Sequence, residues 1–282
     1  MKHFLIYTNQ HKDLNGELTE KIVNYLENKG QKATRMTGED GAIPSEEDIP
    51  TEAYCMLVLG GDGTMLQAAR DTKRCRIPLI GVNLGTLGYM TEIEPGCLES
   101  ALDKLIEGSF QIESRMMLNG HVYHKEDEIK EDWALNDIVI SRSGSLQIIK
   151  LKVYVNGQFL KEYSADGVIV TTPTGSTGYN LSAGGPIVDP KAQLIMLTPI
   201  CPHTLNARSI ILSPEDIIEI EISAGREGRQ EQQVEVSFDG TNVISVGVGD
   251  RVKIGKSEKT TEIIKISEVS FLEVLHRKMS DK

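Results

Sequence analysis

The sequence predicts two domains of different class: an α/β domain, then an all-β domain built as a sandwich or related layered sheet. Three observations predict it. Apolar runs alternate with helical patterns through the first third of the chain, the mark of a parallel sheet with crossover helices. Short β-rich runs separated by turn signals fill the stretch from about residue 116 to 265, as in an antiparallel domain. The 282 residues also suit two cores, since a domain commonly takes about 150 residues. The expected boundaries are 1–115, 116–265 and a closing segment at 266–282.

In the α/β part, Phe4 to Thr8 forms a short buried strand. Leu18, Ile22, Val23 and Leu26 then make one helical stripe, with Gly30 beyond its end. Residues 38 to 52 are acidic and hold Gly38, Gly41, Pro44 and Pro50, which predicts a surface loop. Tyr54 to Leu59 is continuously apolar, as a strand covered on both faces must be. A helix at Thr64–Arg70, a strand at Ile77–Val82 and a helix at Leu98–Ile106 follow. The β-rich runs are Asp137–Ser141, Leu151–Val155, Gly167–Thr171, Ile217–Ile222, Val234–Phe238, Val252–Ile254 and Glu262–Ile266. Asn156-Gly157 and Asp239-Gly240 mark hairpin turns between runs. Phe271 to Arg277 suits a closing helix or strand.

Composition removes several function classes. Thirty Lys and Arg against 41 Asp and Glu give a net charge of −11, and no basic stripe offsets it, which argues against nucleic acid as a partner. Cys55, Cys75, Cys97 and Cys201 lie apart, with neither a CxxC pair nor a His at zinc spacing. Free thiols in a reducing compartment fit better than a metal site or a disulfide framework. No apolar run approaches the ~20 residues of a membrane span, so a soluble, cytoplasmic protein is expected.

The sharpest local feature is Gly60-Gly61-Asp62-Gly63-Thr64, directly after the apolar run ending at Leu59. A glycine loop between a parallel strand and a helix lets backbone N–H groups approach phosphate oxygens. It is neither a Walker A loop nor GxGxxG. The carboxylate inside the turn distinguishes it: Asp62 is placed to accept a proton from an attacking hydroxyl, or to help hold a magnesium ion bridging phosphates. The plainer alternative is an Asp-Gly turn with Thr64 capping the helix. A second glycine loop, Gly81 to Tyr89, follows the next strand. A third segment, Thr172-Pro173-Thr174-Gly175-Ser176-Thr177-Gly178-Tyr179-Asn180-Leu181-Ser182 continuing to Pro186, is rich in hydroxyls, glycine and amide. Those groups suit ribose and phosphate, and Tyr179 offers a face for a flat ring. Asn136-Asp137 heads a β run as a paired amide and carboxylate, and His203 has no evident partner in sequence.

Taken together, the glycine-aspartate loop, Asn136-Asp137 and the Thr172–Gly185 segment resemble the NAD kinase family. Leu84 to Tyr89, and Pro202-His203-Thr204 with Arg208, add to the likeness. The glycine-aspartate loop alone is shared with lipid kinases, whereas the Thr-Pro-Thr-Gly-Ser-Thr-Gly-Tyr run is much more specific. The resemblance implies phosphoryl transfer from ATP, another triphosphate or polyphosphate to the 2′-hydroxyl of the adenosine ribose of NAD, giving NADP. It implies a Rossmann-like α/β domain, a β-sandwich-like second domain and a C-terminal segment returning to the first. Asp62 would be the proton acceptor with Gly63 beside the substrate, and Gly60, Gly61, Gly63 and Thr64 would face the phosphate donor. Asn136 and Asp137 would hold ribose hydroxyls. Asp166, Thr174, Thr177, Gly178, Tyr179, Asn180, Leu181, Ser182 and Thr198 would line the dinucleotide site. Mg²⁺ or another divalent metal would arrive with ATP rather than at a fixed protein site, and a homodimer or homotetramer is the family habit.

The chain departs from the family pattern at Ser164, where many bacterial members carry Arg, and at Asp137, often Glu. Two other functions remain in view. A lipid kinase on the same scaffold predicts a membrane-facing amphipathic helix or basic patch, and the sequence offers neither. A non-catalytic dinucleotide sensor would not need Asp62 in its glycine loop.

Overall fold

A computed structural model describes residues 1–36, 49–50, 52–72, 75–85, 88–144, 147–204, 206–224 and 233–280. Most of the acidic stretch expected as a loop at 38 to 52, and Thr86 and Leu87 of the second glycine loop, lie outside the described residues. The chain divides into two units, one of Met1–Arg115 with Thr261–Lys282, the other Met116–Thr260.

The first unit begins with β1 (His3–Thr8), α1 (Glu17–Asn28), β2 (Lys32–Arg35) and β3 (Cys55–Gly60). It continues with α2 (Asp62–Asp71), β4 (Leu79–Asn83), β5 (Thr91–Ile93) and α3 (Leu98–Glu107). Its strands pair in parallel in the order β2-β1-β3-β4, as strand–helix alternation requires. Every residue of β3 is buried, which is why its sequence is apolar without a break. Ile22 and Leu26 of α1 and Leu98, Leu102 and Leu105 of α3 pack on Phe4, Ile6, Leu57 and Ile80. Helix α1 starts under Asp13, whose carboxylate accepts the Leu18 and Thr19 N–H groups at 3.2 and 3.0 Å. It ends before Gly30, at φ +72°, a conformation glycine adopts without strain.

The second unit is β-rich. It holds β6 (Gln111–His124, whose first residues belong to the first unit), β7 (Asp127–Ala134), β8 (Asp137–Arg142), β9 (Ile149–Val155) and β10 (Gln158–Ala165). Then come β11 (Gly167–Thr171), a short α4 (Tyr179–Ser182), β12 (Ile195–Ile200), β13 (Ile210–Leu212) and β14 (Ile218–Ser223). Last are β15 (Val234–Phe238), β16 (Thr241–Val246) and β17 (Arg251–Lys265), which leaves the unit at Thr261. One antiparallel sheet runs β10-β9-β14-β17 and the other β13-β12-β11-β8-β15-β16, with β6 and β7 forming a hairpin. In β9, Ile149, Leu151 and Val153 face the core while Lys150 and Lys152 do not. The core joins them to Ile138, Val170, Leu197 and Phe238 of the other sheet. Strands β11 and β12 are buried at every position, because Val139, Ile169 and Ile200 pack on the opposite face beside Ala183. Both expected hairpin turns form: Asn156 and Gly157 have φ 51° and 76°, Asp239 and Gly240 φ 50° and 71°, the paired positive values of a type I′ turn.

Residues 252–254 and 262–265 of the two runs that the sequence suggests belong to the 15-residue strand β17, and Ile266 lies just beyond its end. The intervening Gly-Lys-Ser-Glu-Lys-Thr-Thr is polar, yet Gly255, Ser257 and Thr261 are buried along the strand. Strands β6, β7 and β10 escape a composition reading because they carry charges on an exposed face. Ile263 of β17 pairs in parallel with Leu79 of β4 in the first unit, and the chain closes in that unit as α5 (Phe271–Ser280), a helix rather than a strand. No helix among the described residues is long and apolar enough to cross a membrane.

Candidate active site

The glycine loop sits at the carboxyl end of β3, where Gly60 ends the strand and Gly61 opens α2. A side chain at Gly60 would collide with Thr64. Thr64 is buried, and its hydroxyl accepts the Asn9 side-chain amide at 3.2 Å. The Thr64 and Met65 N–H groups bond to the Gly61 carbonyl at 3.0 Å, which leaves those of Asp62 and Gly63 without a helical partner beside a pocket of about 350 Å³ lined by Asn9, Lys12, Gly61, Asp62, Gly63, Thr64, Gly88 and Lys278. Asp62 is the carboxylate of that pocket. Its Oδ2 accepts the Tyr89 N–H at 2.8 Å and its Oδ1 the Met90 N–H at 2.9 Å. Two backbone donors thus fix the carboxyl plane, and each oxygen keeps a second lone pair for another partner. Gly88 is required here, because a Cβ would overlap the Asp62 carboxylate. The two glycine loops suggested by sequence therefore meet through Asp62.

A pocket of similar size, about 340 Å³, is bordered by Tyr89, Glu92, Ile93, Lys104, Lys265 and Val274 among others. It holds two carboxylates, Glu92 and Glu94, of which Glu92 is engaged by Lys265 and by the Ile266 N–H at 2.9 Å. Of these two pockets, the one with Asp62 sets its carboxylate at the start of a helix directly after a glycine loop, which makes it the candidate site.

The second unit builds another polar constellation. Asp239 accepts the N–H groups of Leu135, Asn136 and Asp137 at 2.8, 2.8 and 3.1 Å. The Asn136 carbonyl takes the Thr172 N–H and the Thr171 hydroxyl, both at 2.9 Å. Gly175 lies so close that a Cβ would strike that carbonyl, and a Cβ at Gly178 would meet Asn136 Nδ2 at 3.3 Å. The Asn136-Asp137 pair and the 172–182 segment are thereby one assembly. Asn136 Oδ1 is buried without a hydrogen-bond partner, an orphan acceptor of the kind a ligand hydroxyl satisfies. Burial first, and then the Asp239 charge, push the Asp137 carboxyl up to about 7.

Within the third segment the structure separates two kinds of residue. Tyr179 and Leu181 are exposed, free to meet a ligand, and Ser182 is exposed beside them. Asn180 is fully buried, its amide donating to the Ser176 and Pro186 carbonyls at 3.1 and 3.0 Å and its Oδ1 accepting from Thr198 Oγ1 at 2.7 Å. Thr174 is buried, while Thr177 and Gly178 are half-buried. Asp166 pairs with Arg142, Nε to Oδ1 at 2.9 Å. Ser164, at the departure from the family pattern, offers its carbonyl to the His203 N–H at 2.8 Å, and the His203 side chain is exposed. No cluster of three His, Cys, Asp or Glu fit to hold a metal occurs among the described residues.

A family model described as the ATP-NAD kinase N-terminal domain matches residues 3–110, and one described as the ATP-NAD kinase C-terminal domain matches residues 135–266. The chain belongs to the NAD kinase family. An NAD kinase of Agathobacter rectalis is 49% identical over 285 residues, covering 100% of this chain and 99% of the relative. One of Lachnospira eligens is 45% identical, covering 99% and 100%. Among solved structures, yeast NADH kinase complexed with NADH superposes with a TM-score of 0.83 at 25% identity, covering 100% of this chain and 88% of that one. An NAD kinase from Archaeoglobus fulgidus in complex with ATP gives 0.79 at 26%, covering both chains fully.

Sequence reasoning missed Asn9, Lys12 and Lys278 as pocket residues of this NAD kinase family member, and Asp239 as the anchor of the Asn136-Asp137 pair. Lys12 follows the carboxyl end of β1, where ligands gather in such sheets, so a signal existed. Lys278 is remote in sequence and carries none.

Proposed function

We propose that this protein transfers the terminal phosphoryl group of ATP to the 2′-hydroxyl of the adenosine ribose of NAD, releasing ADP and NADP. One observation carries the proposal: in a chain of the NAD kinase family, the Asp62 carboxylate is held by two backbone amides at the mouth of a glycine-loop pocket. A ribose hydroxyl is a weak nucleophile, and a positioned carboxylate takes its proton as the new P–O bond forms and the bond to the ADP oxygen breaks. The remaining catalysis is positioning and charge neutralisation, to which a divalent metal carried in by ATP contributes.

In this reading the α/β part, 1–115, presents the donor through Gly60, Gly61, Gly63 and Thr64, and the β part, 116–265, receives NAD, with 266–282 closing on the first. Asn136 and Asp137 take ribose hydroxyls, the orphan Asn136 Oδ1 being the acceptor for one of them. Tyr179, Leu181 and Ser182 face the dinucleotide with Asp166, Thr177 and Gly178, while Asn180, Thr198 and Thr174 hold the wall behind them. A cytoplasmic homo-oligomer, dimer or tetramer, completes the proposal on the strength of the family alone. Nothing in the comparisons favours a lipid kinase or a non-catalytic sensor.

The test is NADP formation from NAD, ATP and Mg²⁺, read by a dehydrogenase specific for NADP, with polyphosphate and NADH as alternative substrates. Product that disappears in Asp62→Asn supports reaction and base together. Absence of product with every donor and acceptor, despite NAD binding, overturns the proposal in favour of a sensor.

A further inference from the structure

We propose that Lys12 and Lys278 form a cationic clamp on the phosphoanhydride chain of the donor, an inference that rests on the kinase reading above. Both line the Asp62 pocket, although they stand far apart in sequence. Lys12 lies in the turn after β1. That turn is pinned by the Asn9 N–H on the Leu59 carbonyl at 3.0 Å and by the Lys12 N–H on the Asn9 carbonyl at 2.9 Å. Its ammonium sits over the glycine loops: a Cβ built on Gly61 would be 3.2 Å from Nζ, and one on Gly85 3.6 Å. Lys278 lies on α5. Its Nζ lies 4.7 Å from the centroid of the Tyr89 ring, and Phe271 of the same helix packs on that ring at 6.0 Å. Tyr89 is also the residue whose backbone N–H holds Asp62.

The electrostatics favour an anion between them. In a chain of net charge −11, carboxylates are in excess, and Lys21, Lys29 and Lys152 each pair with one. Among the described residues neither Lys12 nor Lys278 is in an ion pair, and Asp62 in the same pocket is engaged by backbone amides instead. Two ammoniums against the one Asp62 carboxylate line this pocket at the N-terminus of α2, a charge balance and helix end that favour an approaching polyanion. Lysine suits the task, since a mobile ammonium can follow a phosphate as it transfers. A chain of linked phosphates carries charge for both ammoniums, whereas AMP brings a single phosphate.

The experiment separates this clamp from the reaction itself. Binding of MgATP, inorganic tripolyphosphate and AMP is measured by calorimetry on wild type, Lys12→Gln, Lys278→Gln and Lys278→Arg, alongside steady-state constants. Each Gln variant is expected to weaken MgATP and tripolyphosphate binding about tenfold or more and to leave AMP binding and the KM for NAD within about twofold, while Lys278→Arg stays near wild type. Unchanged ATP and tripolyphosphate affinities in both Gln variants, with folding verified by circular dichroism, overturn the clamp. So do equal losses for AMP and ATP. Absence of turnover in wild type would overturn the kinase reading alone, because the binding series still reports on the lysines.

Discussion

Asp239 lies against Asp137, accepting its backbone N–H at 3.1 Å while returning its own N–H to the Asp137 carbonyl at 3.0 Å. One carboxylate organises the turn of the backbone; the other, buried beside it, is left to bear both desolvation and a like charge. That combination pushes the Asp137 carboxyl up to about 7. A folded-state value above the unfolded one means that folding takes up a proton. The contribution is therefore complete below about pH 4 and is lost as pH rises through about 7. Asp137→Asn, which mimics the protonated form, is expected to gain stability relative to wild type on going from pH 5 to pH 8, by about 1 kcal/mol or more. Urea unfolding of both proteins at four pH values checks this, and a difference independent of pH would sink the assignment.

Asp62 is expected to matter for turnover far more than for binding. Asp62→Asn should lower kcat by about 10² to 10³ with the KM for NAD nearly unchanged. The amide also leaves one of the Tyr89 and Met90 N–H groups without an acceptor, so a modest loss of thermal stability should accompany it.

Gly88→Ala provides an independent check on the same carboxylate. Its Cβ would overlap Asp62 and come within 2.9 Å of Thr91 Oγ1, displacing the base without altering its chemistry. We expect turnover to fall as in Asp62→Asn. Near-normal kcat in Gly88→Ala would show that the position of Asp62 is not critical.

Tyr179 and Asn180 are neighbours with opposite expected phenotypes. Asn180→Ala removes three buried hydrogen bonds and should destabilise the protein by about 3 kcal/mol, at about 1 kcal/mol or more per orphaned partner. Tyr179→Ala, at an exposed position, should leave the melting temperature unchanged and weaken NAD binding. Thermal scans with and without NAD distinguish the two.

The thiols should sort by burial. Cys97 and Cys201 are exposed, while Cys55 is buried and its thiol is pushed up to about 12 by desolvation. Labelling by iodoacetamide followed by peptide mapping should modify Cys97 and Cys201 in the native protein and Cys55 only in denaturant. Labelling of native Cys55 would place β3 nearer the surface than described.

The glycine-aspartate loop, the parallel strands flanking it and the Asn-Gly and Asp-Gly hairpins were legible because each is written locally. A strand covered on both faces must be apolar throughout, as at Cys55–Gly60, and a type I′ turn demands residues that tolerate positive φ. Strands β6, β7 and β10 were not legible, since hydrogen bonding to a neighbour, rather than side-chain pattern, makes them strands. The same limit applies at the site. Local order shows that Asp62 stands in a phosphate-type loop, and that Thr172 to Ser182 is rich in ligand-friendly groups.

Which of those groups are free was a tertiary matter. Asn180 and Thr198, which the family resemblance implies as lining the dinucleotide site, are bonded to each other through Oδ1 and Oγ1, and the Asn180 amide donates to the Ser176 and Pro186 carbonyls. Asp239, an ordinary turn residue in sequence, supports three consecutive backbone amides, and Lys278 reaches the Asp62 pocket from the last helix. The sequence by itself determined the class of each part and the chemistry of its loops, because backbone conformation and burial are written into neighbouring residues. Only the tertiary structure decided which buried polar groups are satisfied and which cations converge, because hydrogen bonds and charges act through space between residues that sequence places a hundred or more positions apart.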